Sequence, residues 1–167
     1  MVETKRLLLK PLNYNQLVKY IKADDSLEEE LQLNSNGRMV PEILKEKMTL
    51  NILPKVADAN INYLYATLWT AINKEENQMV CEVCFKGEPN ADGEIEIGYG
   101  TQPQFQGKGF MKEAVGGMIE WAKTQPNVKS IFAQTLKDNA ASYTILERNN
   151  FIKVGETETL FQWRLTW

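Results

Sequence analysis

Histidine occurs nowhere in these 167 residues. That removes the side chain that most often serves as a general base near neutral pH and most often ligates a metal. Serine-hydrolase triads and histidine-based zinc chemistry are therefore set aside. Cysteine occurs only as Cys81 and Cys84, in the run C-E-V-C. On a strand, residues three apart point to opposite faces, so the pair neither bridges nor chelates easily, and one such pair is half a zinc site at best. Both are read as structural side chains, and no metal is expected. Long apolar runs are missing too: no window approaches a membrane span, and "MVETKRLLLKPL" lacks a signal-peptide layout. The expectation is a soluble protein of a reducing cytoplasm, with no membrane partner. Nor is there an excess of positive charge. The net charge is −3 and the pI about 5.2, which argues against a dedicated nucleic-acid binder.

What is present suits one domain spanning residues 1–167, with 43% hydrophobic residues to build a core. Glu3 to Leu12 reads as a strand ending at Pro11. Asn13 is placed to cap a helix from Tyr14 to about Ala23, with Leu17, Tyr20 and Ile21 at helical spacing. Asp24 to Met39 is polar, with the acidic run Glu28 to Glu30. Pro41 opens a second helical pattern through Ile43, Leu44, Met48, Ile52 and Val56. Strands are then predicted over Asn62–Ile72, Gln78–Gly87 and Gly93–Thr101, joined as an antiparallel meander. Met111, Ala114, Val115, Met118 and Ala122 share one helical face. A strand "VKSIFAQTL" follows, then a helix "DNAASYTILERNN" started by Asp138 or Asn139. Two strands, Phe151–Val154 and Leu160–Thr166, close the chain around Gly155. The order of elements implies a mixed α/β fold.

The stretch "YGTQPQFQGKGFMKEAVGGM", Tyr99 to Met118, is the unusual one. Gly107 and Gly109 stand just before a helix begins. Glycines at a strand-to-helix turn leave amide N–H groups open, and the helix start adds its own unpaired amides and the positive end of its dipole. That combination binds phosphate, although a plain tight turn would use the same residues. Two familiar phosphate loops fail. G-x-x-x-x-G-K-[ST] is absent. The dinucleotide fingerprint G-x-G-x-x-G breaks at Lys112 and has no acid about 20 positions on.

Gln106-Gly107-Lys108-Gly109-Phe110-Met111 resembles the Q/R-x-x-G-x-G/A motif of the GNAT superfamily, the acetyl-coenzyme A-dependent N-acetyltransferases. It departs at Met111, where the family has Gly or Ala. "ETKRLLLKPL" resembles the first strand of the branch that acetylates ribosomal-protein N-termini. "EIEIGYGTQPQFQGKGFMKEA" resembles that branch's "EIGYWL-P-x-x-x-GKGYMTEA", and "TLKDNAASYTILERNNF" its "N-x-x-S-x-x-x-L-E-K-x-G-F". The likeness covers most of the chain in order. Asp24 to Asn60 is the most divergent part.

The resemblance implies an α/β GNAT fold: a mixed, mostly antiparallel sheet with splayed central strands, flanked by about four helices. It implies acetyl-CoA as donor. Backbone groups of Tyr99 and Thr101, with Gly100 between them, would pair with the pantetheine arm. Gln106, Gly107, Lys108, Gly109, Phe110 and Met111 would hold the pyrophosphate, Lys108 adding charge. Asn139 would contact the coenzyme or orient the acceptor; read on its own residues, it is a helix cap. Ser142 would donate to the departing thiolate; on its own it is a surface serine. Many relatives carry a tyrosine acid where this chain has Leu146, and Tyr143 points about 100° away round the helix. Glu96 matches an acidic position common in the branch and is the candidate base; a solvent-facing strand carboxylate fits it equally. The acidic runs Glu28–Glu30 and Glu156–Glu158 would draw in a cationic acceptor or simply be solvated. The expected reaction is acetyl transfer to a primary amine, either a peptide α-amine or a small-molecule amine. The competing reading is a GNAT-fold module that binds acyl-CoA without turnover. Trp163 and Trp167 belong to the core or to a homodimer edge.

Overall fold

The strand expected from Glu3 to Leu12 is a hairpin instead. In the computed structural model, which describes all 167 residues, β1 (Val2–Glu3) pairs antiparallel with β2 (Leu7–Pro11), setting Val2 against Leu9. Thr4 turns the chain: its amide donates to Leu7 O at 2.9 Å, and its hydroxyl oxygen accepts Leu7 N–H at 3.1 Å. A side chain that satisfies backbone groups locally makes a tight turn possible inside a strand-like pattern.

Asn13 caps α1 (Tyr14–Lys22) as expected, in a reciprocal capping box with Gln16. The polar segment after it holds a short helix, α2 (Ser26–Leu31). The pattern begun at Pro41 breaks into α3 (Glu42–Lys47) and α4 (Leu53–Ala57), joined by a π-helical turn at Met48–Ile52. Pro54 accounts for the break. Its ring would clash with the carbonyl four residues back, and it has no N–H to donate, so the wider turn absorbs the mismatch. The strand expected from Asn62 begins late for a similar local reason: Asn62 caps a 3-10 turn at Tyr63–Tyr65, and β3 runs Leu68–Asn73.

The rest follows the predicted order: β4 (Gln78–Phe85), β5 (Glu94–Thr101), α5 (Phe110–Lys123), β6 (Ser130–Leu136), α6 (Ala140–Glu147), β7 (Ile152–Glu156) and β8 (Leu160–Thr166). All eight strands form one sheet in the order β1-β2-β3-β4-β5-β6-β8-β7. The neighbours are antiparallel except β5 and β6. There are thus six α-helical segments rather than about four, the increase coming from α2 and the broken α3–α4.

The sheet is covered on both faces. On one, α5 buries Met111, Ala114, Val115, Met118 and Ala122 against Leu9, Val83 and Ile97. On the other, Leu12, Leu17, Tyr20, Met48 and Leu68 form a smaller core beneath α1 to α4. Cys81 lies in the first core, and Cys84 packs against the second. That is the strand alternation expected of C-E-V-C, and both thiols are free. Trp163 is core, its indole N–H donating to Thr135 Oγ1 at 2.9 Å. No helix is long and apolar enough to cross a membrane.

One feature of the sheet positions the site. β5 pairs with β4 as far as Thr101. With β6 it pairs only through Glu94, Ile95 and Glu96. Beyond that point β6 follows β8, matching Ala133 through Leu136 to Trp163 through Leu160. The sheet therefore opens as a wedge alongside Gly98 to Thr101, and backbone groups of β5 that face β6 have no ladder partner there.

Candidate active site

A cleft of about 770 Å³ lies at this wedge, between β5, the glycine loop, the start of α5 and α6. Gly107 and Gly109 have φ of +75° and +77°. Both sit in the left-handed region where a side chain is strained, which is why two glycines are needed rather than one. Around Gly107 a Cβ would meet open space, so its glycine answers to backbone conformation and not to crowding. The first amides of α5, from Phe110 onward, lack helical partners and face the cleft. Met111 lines the cleft, yet its side chain is buried in the core against the sheet. A side chain where the family motif has Gly or Ala therefore leaves the amide end of the helix free.

Arg6 holds this loop from behind. Its Nη1 donates to Lys108 O at 3.0 Å, and its guanidinium lies 4.6 Å from the centre of the Phe110 ring. Glu113 fixes Arg6 in turn, accepting its Nε–H at 2.6 Å, its backbone N–H at 2.7 Å and the Thr4 hydroxyl at 2.6 Å. Burial alone would raise the Glu113 pKa, but these hydrogen bonds bring it below the usual carboxylate range. The β1–β2 hairpin is thus tied to the glycine loop.

Lys112 and Arg148 also line the cleft, and no carboxylate does. Sequence reading missed both, because neither falls in the glycine motif. Lys108, which it named, extends over the Phe105 ring, 5.2 Å from the centroid, and is not part of the lining. The cations that line the cleft are therefore Lys112 and Arg148. Gln106, Asn139 and Ser142 do line the cleft. Asn139 caps α6, its Oδ1 accepting Ser142 N–H at 3.1 Å. Ser142 Oγ donates to Tyr99 Oη at 3.2 Å, and Tyr99 Oη donates to Ser142 O at 2.9 Å. Burial pushes the Tyr99 phenol up to about 12. Leu146 is buried in the core. Tyr143 turns away to stack on Trp163, with ring centroids 6.1 Å apart. A tyrosine hydroxyl thus reaches Ser142 from β5 across the wedge and not from α6.

A second cleft, about 560 Å³, opens on the other face of β5 under α3 and α4, and Gly98, Tyr99 and Gly100 line it too. The two clefts share Tyr99 and Gly100. At the floor of the second lies Glu82, directly opposite Gly100 in the β4–β5 ladder and only 6% exposed. Gln102 Nε2 donates to its Oε1 at 3.3 Å. Burial raises the Glu82 pKa above the usual carboxylate range, partly offset by hydrogen bonding and by the nearby charge of Arg38. Arg38 itself is buried, with Nε donating to Glu28 Oε1 at 2.8 Å, Nη1 to Tyr20 O at 3.0 Å, and its plane 4.2 Å from the Tyr20 ring centroid.

Glu96, the candidate base from sequence, is not brought to the site. Its carboxylate is paired with Lys86, and it lines neither cleft. Glu94 is engaged by Arg164 at 2.5 Å. Three acids of the acidic runs are paired: Glu28 with Arg38, Glu30 with Lys19, and Glu156 with Lys137 and Lys153. Glu82 was overlooked, although a lone acid within "MVCEVCF" was its signal.

The acetyltransferase (GNAT) domain family model matches residues 6–152. The chain belongs to that family and is an acetyltransferase. It is 28% identical over 152 residues to the uncharacterised N-acetyltransferase YjdG of Bacillus subtilis (strain 168), covering 91% of this chain and 89% of that one. In fold it is similar to the ribosomal-protein-S5-alanine acetyltransferase of Vibrio fischeri, with TM-score 0.68, 20% identity, and 98% and 94% of the two chains covered. It is also similar to the Vibrio cholerae spermidine N-acetyltransferase solved with CoA and spermine, with TM-score 0.65, 14% identity, and 98% and 96% covered.

Proposed function

We propose that the chain transfers an acetyl group from acetyl-CoA to a primary amine by direct attack on the thioester. The observation that carries this is the meeting of two clefts at Tyr99 and Gly100, one basic and free of carboxylates, the other floored by a buried carboxylate. The donor enters the first. Unpartnered backbone of Tyr99 and Thr101 takes the pantetheine arm, and the amides after Gly109 take the pyrophosphate. Lys112 and Arg148 add charge for the remaining phosphate. The acceptor enters the second.

The amine must be neutral to attack, and an α-amine has a pKa near 8 and a lysine near 10.4. Glu82, made more basic by burial, accepts its proton. The N–C bond forms, the C–S bond breaks, and the electron pair leaves on sulfur. The Ser142 hydroxyl, oriented by Tyr99, hydrogen-bonds to that sulfur and keeps its own proton, while the second proton, lost from nitrogen as the amide forms, passes through solvent to the thiolate. With a pKa of about 12, Tyr99 keeps its own proton throughout and acts as a hydrogen-bonding support, not an acid.

Thiol release from acetyl-CoA over a panel of amines tests this. Glu82→Gln is expected to lower kcat by about 10²–10⁴-fold and to remove the acid limb of the pH profile. Ser142→Ala is expected to lower kcat by a smaller factor. An unchanged acid limb in Glu82→Gln would remove Glu82 from the mechanism. Silence across the panel with CoA still bound would favour the non-catalytic binding module.

A further inference from the structure

The acceptor cleft has a charge pattern of its own. Its lining contains three lysines, Lys47, Lys55 and Lys86, and one carboxylate, Glu82. The carboxylate lies at the floor beside Gly100, and the three lysines are exposed. Lys86 shares its charge with Glu96. Lys55 is held toward the same place by donating its Nζ to Lys86 O at 3.1 Å, and has no carboxylate partner. Lys47 lies on α3 with no ion pair; the nearby pair in that helix is Lys45 with Glu42. The apolar side chains of the lining on this face are Leu44, Ile52 and Leu68.

Two acids of the first acidic run, Glu28 and Glu30, are paired with Arg38 and Lys19, and neither lines this cleft. A polyamine would bring a second ammonium up against lysines, and the lining holds no second carboxylate to meet it. Like charges at close range disfavour that arrangement, and an anion reverses its sign. Resting on the acetyltransferase reading above, we infer that the acceptor is a primary amine carrying an anionic group, a carboxylate or phosphate, on an apolar or sugar-like body. The amine goes to Glu82, and the anion stays with Lys47, Lys55 and Lys86. The same chemistry is available in a free small molecule and in a peptide N-terminus with an acidic second residue.

Matched acceptors that differ by one anionic group test it: glucosamine against glucosamine 6-phosphate, and Ser-Asn against Ser-Asp dipeptide amides. The anionic member of at least one pair is expected to have kcat/KM about tenfold or more higher. The responding pair tells small molecule from peptide. In Lys47→Glu/Lys55→Glu that advantage should vanish or invert, with calorimetric CoA affinity intact as the control for folding. Should the double reversal unfold, Lys47→Gln alone should cut the advantage and leave the neutral member unaffected. Equal rates within both pairs, preference for the member without the anion, or a preference that survives charge reversal would overturn the inference while leaving acetyl transfer standing. If no acceptor releases thiol, acetyl transfer itself fails. The inference is then judged by titrating the same pairs into CoA-saturated protein, where equal or absent binding of both members overturns it.

Discussion

Replacing Arg38 with Met separates what the buried charges do for the fold from what they do for the chemistry. The Arg38 and Glu28 side chains are 1% and 3% exposed, and they meet at 2.8 Å. Removing the guanidinium strands the Glu28 carboxylate and frees the Tyr20 carbonyl in a dry interior. Breaking such a pair costs about 3–5 kcal/mol. For a domain of this size each kcal/mol lowers Tm by about 2–4 °C, so a fall of roughly 6–20 °C is expected by scanning calorimetry or thermal CD. Adding Glu28→Leu should restore most of it, because two apolar side chains of similar volume need no charge compensation. The pH profile should not be restored. Arg38 holds the Glu82 pKa down against burial, so without it Glu82 takes up its proton at higher pH. The acid limb of kcat/KM should move upward in the single and double variants alike. A Tm loss under about 3 °C, too small for a broken buried pair, would refute the energetic argument. An acid limb that stays in place would refute the coupling to Glu82.

Glu82 also carries a stability signature. Its folded-state pKa is raised by burial, so it stabilises the fold below the unfolded carboxylate pKa, and that contribution is lost as pH rises through the folded value. Glu82→Gln should therefore be more stable than the parent at pH 8 and similar at pH 4 in denaturant titrations. Equal stability at both pH values would contradict this. Arg6→Gln loses a charge-assisted hydrogen bond to the phosphate loop worth about 1.5–3 kcal/mol. KM for acetyl-CoA should rise about 10–100-fold, with no comparable change for acetyl-pantetheine, which lacks the pyrophosphate; an equal rise for both donors would make Arg6 merely structural. Gly107→Ala, at φ +75°, should cost about 1–2 kcal/mol and weaken calorimetric CoA binding, although the added methyl touches nothing. Unchanged stability and affinity would show that the loop relaxes freely.

The order of β4, β5, α5, β6, α6 and the final hairpin was legible because each rests on a local signal: period-two alternation, a five-point apolar helix face, or a cap at Asn139. What failed was also local, but needed the third dimension. Thr4 closes a turn by bonding Leu7, and Pro54 forces a π turn into what reads as one helix. Most of the lining of the cleft at the glycine loop was readable because that cleft is shaped by backbone, announced by glycines. Lys112 and Arg148 were not, since only the packing of α6 beside α5 brings them to one cleft.

The acceptor side is the harder case, and the reason is physical. Glu96 and Glu82 are both strand carboxylates, and alternation alone cannot say which is solvated and which is buried. Their neighbours decide it. Glu96 lies within reach of Lys86, just past the end of the adjacent strand, and is paired there. Glu82 sits between Cys81 and Val83 in the middle of the sheet, under helices drawn from the most divergent part of the chain. An acid in an otherwise apolar strand costs stability unless it is paired or kept protonated. Gln102 and Arg38 only partly relieve Glu82, since its pKa stays high. Glu82 lies directly opposite Gly100, where the two clefts meet. As an acceptor of the amine's proton, its position and its raised basicity have one common cause.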